Sequence, residues 1–149
     1  MKTLQILCIL SLVFLSVACN KDETPDNILA GEYSLIEVSS YMTDVVIKGD
    51  AIGYDQTYAF RNDNTFMKTR AGSEYDGQGT GTYTVTAADP NEQGVTNFLV
   101  LNFKTGTDMI NSCYPDGNTE TLSLFDDGKL VNQAAGTCDR PVELYKKQN

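Results

Sequence analysis

The sequence predicts an all-β domain, built as either an antiparallel sandwich or an antiparallel barrel. Short segments rich in β-branched and aromatic residues recur at a spacing of about ten residues. Clusters of Asn, Asp and Gly, which favour turns, separate these segments. After residue 28 no segment keeps a helical period over three turns. The roughly 120 residues from 28 to 149 are enough for one domain with a sizeable core.

Alternating side chains mark the first predicted strands. Residues 33–40 alternate so that one face is more apolar than the other, and 44–48 (Asp-Val-Val-Ile-Lys) form a second, short strand. Two further β-rich segments, 56–61 and 65–70, flank Asn62-Asp63-Asn64, which has turn chemistry. This arrangement predicts a β-hairpin.

The middle of the chain predicts two strands and three loops. Residues 71–79 hold three glycines and are expected to form a loop, whereas 80–86 are rich in Thr and poor in helix formers. A second loop, 89–94, leads to 96–103, the most apolar segment after residue 28 and therefore a predicted buried strand. A longer loop is expected over 106–118.

The end of the chain predicts a second hairpin and a last strand. Residues 120–125 and 129–132 flank Asp126-Asp127-Gly128, a favourable turn. A loop over 134–141 then leads to a last strand, 142–147. We expect the large side chains of all these strands to form the core: Phe60, Phe66, Tyr83, Phe98, Leu101, Phe103 and Leu122.

The chain is strongly acidic, with 20 Asp and Glu, 11 Lys and Arg and no His. Lys2 lies in the predicted signal peptide described below, so 10 basic residues remain against 20 acidic ones, a net charge of about −10. Nucleic acid is excluded as a partner because its binding needs Lys and Arg to neutralise phosphates. Solubility is the expected use of the charge.

Residues 1–18 have the pattern of a bacterial signal peptide. Lys2 supplies the positive charge, 4–17 are almost entirely apolar, and small residues surround the cleavage point. The segment Leu15-Ser16-Val17-Ala18-Cys19 resembles the lipobox of bacterial lipoproteins, with Ser16 where Leu is usual. The resemblance implies that Cys19 is lipidated and becomes the mature N-terminus. Its acyl chains would bind the membrane, with 19–27 as a polar tether.

The residues behind Cys19 indicate where the protein is displayed. Asn20-Lys21-Asp22-Glu23 resembles the lipoprotein export signal of Bacteroidetes, in which a lysine and two acidic residues follow the acylated cysteine. This resemblance implies an outer-membrane lipoprotein that faces the cell exterior. An outer-membrane lipoprotein that faces the periplasm is the alternative.

Several short motifs resemble lipocalins and the lipocalin-like lipoproteins of Bacteroidetes. Residues 28–35 are similar to the Gly-x-Trp start of these proteins, with Gly31 in place and Tyr33 where Trp is usual. Residues 60–66 and 81–85 resemble their recurring hairpins. Residues 142–147 are similar to their final strand, in which a basic residue packs over the first-strand aromatic.

The resemblance implies an up-and-down barrel of about eight strands over residues 28–149. In that barrel Gly31 and Tyr33 would close one end. The interior would hold a small apolar molecule or be filled by its own side chains.

Two cysteines remain for the folded domain. Cys8 lies in the signal peptide and Cys19 is the lipidation site, which leaves Cys113 and Cys138. In an exported protein such a pair predicts a disulfide, which closes about 25 residues and stabilises the fold by about 3 kcal/mol. Two cysteines without histidine make a poor zinc site, so no metal is expected.

The sequence contains no recognisable catalytic motif. Histidine, the commonest general base, is missing, and we expect neither an enzyme nor a cofactor. Acidic clusters at 116–120 and 126–128 lack the ligand spacing of a calcium loop and match hairpin turns instead. Carboxylate pairs of the glycosidase kind depend on spacing across the sheet, which the sequence does not determine.

Two functional hypotheses follow. The first is a surface-anchored lipoprotein whose barrel binds a small, partly apolar ligand without catalysis. The second is a protein-interaction module, or an accessory subunit of an outer-membrane uptake or adhesion complex, with a solid barrel and recognition by loops 71–79 and 106–118. An internal pocket of several hundred Å³ would favour the first, and a filled barrel with an exposed apolar patch would favour the second.

Overall fold

A computed structural model describes residues 29–40, 42–72, 76–113, 117–132 and 138–149. The predicted signal peptide (1–18) and the tether (19–27), which includes Cys19, lie outside the described residues. The described part of the chain contains no helix with the length and apolar character that a membrane crossing requires.

The described residues form nine strands that close into an antiparallel barrel. They are β1 (Gly31–Ser39), β2 (Val46–Lys48), β3 (Asp55–Phe60), β4 (Thr65–Ala71), β5 (Gly77–Ala87), β6 (Val95–Thr105), β7 (Thr119–Phe125), β8 (Leu130–Asn132) and β9 (Val142–Lys147). From β3 to β9 each strand pairs with the next, and β1 pairs with both β3 and β9. These eight strands are the predicted up-and-down barrel, so the predicted fold class is confirmed.

The ninth strand, β2, lies beside one half of β1. The first half of β1 pairs with β3 from Gly31 to Ser34, and its last residues, Glu37 to Ser39, pair with β2. A 3-10 helical turn (Gly49–Ile52) then separates β2 from β3. The chain therefore covers the long β1 with two short strands instead of one.

Strand β5 begins earlier than expected. We predicted a loop over 71–79, but the strand starts at Gly77 and includes Gly79 and Gly81. These glycines give room to neighbours, since a Cβ at Gly79 would lie 2.8 Å from the Phe103 ring and one at Gly81 would lie 1.9 Å from the Asn102 carbonyl oxygen. Close packing, and not a flexible turn, explains the glycines here.

Aromatic rings fill much of the barrel interior. Phe60 contacts Tyr33 edge-on at a centroid distance of 5.7 Å and Tyr83 at 5.1 Å, and Phe66 contacts Phe103 at 4.8 Å. We call these five residues the aromatic cluster. Leucines complete the apolar core, and all of them are buried: Leu29, Leu99, Leu101, Leu122, Leu124 and Leu130.

Of the predicted core residues, Phe98 is the one placed wrongly. Leu99, Leu101 and Phe103 face the interior, and because side chains alternate along a strand, Phe98 lies on the opposite face. It is half-buried there.

Both predicted hairpins form with the expected turn residues. Asn64 adopts a positive φ of 60° between β3 and β4, and Gly128 adopts 79° between β7 and β8. In these turns Asp63 Oδ1 accepts a hydrogen bond from the Thr65 backbone N–H and Asp127 Oδ1 accepts one from the Lys129 backbone N–H. The acidic residues at 126–128 therefore act as turn residues.

Candidate functional site

The barrel interior also contains a cluster of polar side chains. We call it the polar cluster, and it comprises Gln56, Lys68, Arg70, Asn111, Glu120, Asn132, Glu143 and Tyr145. Apart from the partly exposed Arg70, these residues are buried. They lie on five different strands and on the segment between β6 and β7. The cluster therefore connects strands on opposite sides of the barrel.

Lys68 and Glu120 form the centre of the cluster. Lys68 Nζ lies 3.0 Å and 3.3 Å from the two Glu120 carboxylate oxygens and donates to the Met109 carbonyl oxygen at 2.8 Å. Glu120 Oε1 also accepts hydrogen bonds from the Asn111 backbone N–H at 3.3 Å and from Asn132 Nδ2 at 2.5 Å. Both charged side chains are fully buried, and such burial is tolerated only when each charge is paired and hydrogen-bonded.

A second chain of contacts surrounds Glu143. The Tyr145 hydroxyl donates to Glu143 Oε2 at 2.6 Å and accepts a short hydrogen bond from Gln56 Nε2. Arg70 Nε donates to Gln56 Oε1 at 2.6 Å, and an Arg70 guanidinium nitrogen lies 3.9 Å from Glu143 Oε1. The cluster therefore contains two cations and two carboxylates, and its formal charges balance.

Burial governs the ionisation of this cluster. Desolvation raises the pKa of Glu120, and the charge of Lys68 opposes that shift. Burial and the charge of Glu143 raise the pKa of Tyr145 well above its usual range. Burial and the charge of Glu120 do the same for Tyr58. Both tyrosines therefore keep their hydroxyl protons near neutral pH.

The arrangement of the polar cluster suits a structural role better than a catalytic one. Each carboxylate already accepts bonds from neighbouring donors, and the central Lys68–Glu120 pair has no solvent access. Two buried polar atoms lack a well-formed hydrogen bond to any described residue, namely the Tyr58 hydroxyl beside Glu120 and Asn111 Oδ1. A substrate would have to displace existing partners to reach the carboxylates.

The predicted disulfide is present near the polar cluster. Cys113 and Cys138 are bonded, with a Cα–Cα distance of 5.7 Å and a sequence separation of 25 residues. It joins the segment after β6 to the segment before β9. Asn111 Nδ2 adds a hydrogen bond to the Pro141 carbonyl oxygen between the same two segments, at 3.1 Å. The disulfide therefore holds the segment that supplies Asn111 and Met109 to the cluster.

Gly31 and Tyr33 lie together at the start of β1. Tyr33 is buried in the aromatic cluster, and Lys147 Nζ from the end of β9 lies 5.8 Å from the centre of its ring. A Cβ at Gly31, which has a φ of 139°, would lie 2.7 Å from Lys147 Cε. The missing side chain thus lets Lys147 reach across to Tyr33, as expected for a basic residue of the last strand packed over the first-strand aromatic.

Next to Tyr33 there is an open depression of about 570 Å³. Tyr33, Leu124 and Phe125 provide apolar wall, and Asp127 and Lys147 provide charge. It lies where β9 continues past the start of β8, since Leu130 of β8 pairs with Tyr145 and β9 extends to Lys147. We call it the notch.

The exterior of the barrel carries an exposed apolar patch around β2. Met42, Val45, Val46 and Ile47 are 73%, 52%, 51% and 37% exposed. No described strand pairs with the outer edge of β2, which ends the strand order of the sheet. We call residues 44–48 the edge segment.

Sequence reasoning missed the polar cluster, although a signal was present. In β4, Lys68 shares the period-two phase of the buried Phe66, and in β7, Glu120 shares the phase of Leu122 and Leu124. A charged residue in the core phase of each of two strands predicts a buried ion pair. Which strands face each other across the axis is a tertiary property.

Comparisons with known proteins add no assignment. The sequence matches no protein-family model, and searches of curated proteins and of solved structures find no significant match. Function is therefore inferred from the residues described above.

Proposed function

We propose that this chain is a non-enzymatic, lipid-anchored binding protein of the outer membrane that recognises another protein with the outside of a filled barrel. Anchoring is inferred from the sequence around Cys19, and display on the cell exterior from the charged residues behind it. Non-enzymatic binding is inferred because the buried carboxylates already have partners and no catalytic motif is present. We infer neither a cofactor nor nucleic-acid binding, the latter because of the acidic net charge.

One observation supports protein recognition most directly. The barrel interior holds Tyr58, the aromatic cluster, the leucines and the polar cluster. Apolar side chains are exposed on the outside at Met42, Val45 and Val46. Exposed apolar patches of soluble domains mark interaction sites. A strand with an unpaired edge adds backbone donors and acceptors that a partner can bind.

A second candidate function is supported by the notch. A small, partly apolar ligand could lie against Tyr33, Leu124 and Phe125, with Lys147 beside any polar group. Its volume of about 570 Å³ is within the range of small-molecule sites. In this form of the hypothesis the ligand binds in the notch, at the end of the barrel where β1 begins and β9 ends.

Two measurements separate these candidates. Native mass spectrometry of the acyl-free mature chain, residues 20–149, would show an adduct of a few hundred daltons if the chain carries a ligand. Protein recognition instead predicts an apo mass, together with a specific covalent product when a photo-crosslinking amino acid replaces Val46 in the full chain on living cells. The same replacement at Gln93, which is also exposed and lines neither candidate site, is the matched control. Equal products at both positions, or none, would reject the protein-binding proposal.

A further inference from the structure

Within the described part of the chain no strand pairs with the outer edge of the edge segment. The register of β2 identifies the backbone groups that point to this edge. Val38 lies opposite Ile47, and the Ser40 backbone N–H donates to the Val45 carbonyl oxygen at 3.2 Å. Val45 and Ile47 therefore direct their backbone groups toward β1. Because these directions alternate along a strand, Asp44, Val46 and Lys48 direct theirs away from β1.

The two faces of the edge segment also differ. Lys48 lies opposite Glu37 and forms an ion pair with it at 2.8 Å. Alternation places Asp44 and Val46 on the same face as Lys48, and Val45 and Ile47 on the other face. Apolar side chains thus occur on both faces of an exposed strand, a pattern typical of strands that are covered on both sides.

The sequence of the edge segment, Asp-Val-Val-Ile-Lys, is complementary to itself when reversed. In antiparallel pairing about Val46, the two Val46 residues lie opposite each other, Asp44 lies opposite Lys48 of the second copy, and Val45 lies opposite Ile47. The outward backbone groups of Asp44, Val46 and Lys48 then meet, which allows about six backbone hydrogen bonds.

Other antiparallel registers are less favourable. Centring the pair on Asp44 or on Lys48 opposes like charges, which is destabilising. Centring it on Val45 or Ile47 leaves charged residues opposite Val46. The Val46-centred register is the one that pairs every charge with an opposite charge and every apolar side chain with another.

We propose that two copies of this chain associate through antiparallel pairing of their edge segments, centred on Val46, to form one sheet that continues from barrel to barrel. This inference rests on the proposed function and names its partner as a second copy. Two Asp44–Lys48 pairs at the contact offset the repulsion between two acidic barrels. Anchoring both copies in one membrane raises their effective concentration, so a small contact suffices.

Cysteine crosslinking of the full chain in its own membrane tests the register. With Val46→Cys, the two new thiols lie opposite each other about 5.5 Å apart at Cα, a distance that a disulfide spans, so mild oxidation should give a covalent dimer. Val45→Cys is the matched control and should give at least several-fold less dimer, because it lies opposite Ile47. Mixing chains with Val45→Cys and Ile47→Cys should restore crosslinking.

Charge exchange provides an independent test in the same membrane, with Val46→Cys crosslinking as the measure of dimer in every variant. In the Lys48→Asp variant, two aspartates of different copies lie opposite each other at positions 44 and 48. In the Asp44→Lys variant, two lysines lie opposite each other at the same positions. Each variant alone should therefore lose the dimer. An equal mixture of the two should recover it, since each contact then joins opposite charges.

Equal crosslinking at 45 and 46, or no recovery in the mixture, would overturn the inference. If the photo-crosslinking amino acid at position 46 then captures a different protein on cells while the one at position 93 does not, recognition of another protein stands and pairing with a second copy fails. If Val46 captures nothing, both proposals fail.

Discussion

The aromatic cluster and the polar cluster occupy the same barrel, and they hold it together by different means. Phe60 touches Tyr33 and Tyr83 edge-on, and these contacts depend mainly on apolar area and shape. Lys68 and Glu120 depend instead on each other and on particular donors and acceptors of three other residues, Met109, Asn111 and Asn132. The polar contacts tolerate few alternative arrangements, because a buried charge is costly unless it is paired and hydrogen-bonded. Four changes probe this difference.

Breaking the central ion pair should have the largest effect. Glu120→Leu leaves the Lys68 ammonium buried without its carboxylate, which typically costs about 3–5 kcal/mol of folding free energy. The double variant Lys68→Met with Glu120→Leu should recover most of this loss, because it removes both charges. Urea unfolding of the three proteins measures the difference, and a double variant as unstable as Glu120→Leu would contradict the pairing.

Removing the disulfide should cost about 3 kcal/mol, from the loop of 25 residues that it closes. Replacing both Cys113 and Cys138 by Ser should lower the denaturation midpoint and increase hydrogen exchange near Asn111, while exchange near Phe60 changes less. The unsubstituted protein under reducing conditions is the control and should match the variant. Uniform loss of protection would show that the two clusters unfold as one unit.

Two tyrosine hydroxyls provide a matched comparison. Tyr145→Phe removes the donor to Glu143 and should cost about 1–3 kcal/mol, because a buried carboxylate loses a partner. Tyr58→Phe removes a hydroxyl that has no well-formed hydrogen bond and should change stability by less than about 0.5 kcal/mol. Similar losses for both variants would show that the Tyr58 hydroxyl also binds within the cluster.

The pH dependence of the folding free energy should show the burial of Glu120. We expect this effect to be smaller than those of the substitutions above. Its pKa in the folded state is raised above the usual 4.5, so the folded state binds the proton more tightly than the unfolded state. Glu120 therefore contributes stability below pH 4.5 that is lost as the pH rises through its raised pKa. Compared with Glu120→Gln between pH 3 and 7, the unsubstituted protein should lose more stability on going to neutral pH. An opposite slope would show that Lys68 outweighs desolvation.

Much of the fold could be predicted because it depends on local pattern. The segments 56–61 and 65–70 became β3 and β4 around Asn64, and 142–147 became β9 with identical bounds. Gly77 and Gly79 misled the prediction, since their role in giving room to Phe103 and Met109 depends on a neighbouring strand and a distant turn. Phe98 misled it because an apolar segment does not show which phase faces inward.

The candidate sites also differ in whether local sequence pattern could predict them. Cys113 and Cys138 were predictable from counting, and Gly31 and Tyr33 from a resemblance; the role of Tyr33 in closing the barrel stays a prediction. The polar cluster was not predicted, because Lys68 and Glu120 are 52 residues apart in sequence and meet only across the barrel axis. The edge segment was predicted as a strand, but only the order of the described strands showed that none of them pairs with its outer edge.

By itself, the sequence determined the strands, their turns, the acidic charge and the cysteines left to pair, because period-two alternation, turn chemistry and composition act over a few residues. The tertiary structure decided which side chains fill the interior, which carboxylate meets Lys68 and which strand edge is left unpaired. These outcomes depend on the order and register in which β1 closes with β9, since that closure sets every contact across the barrel.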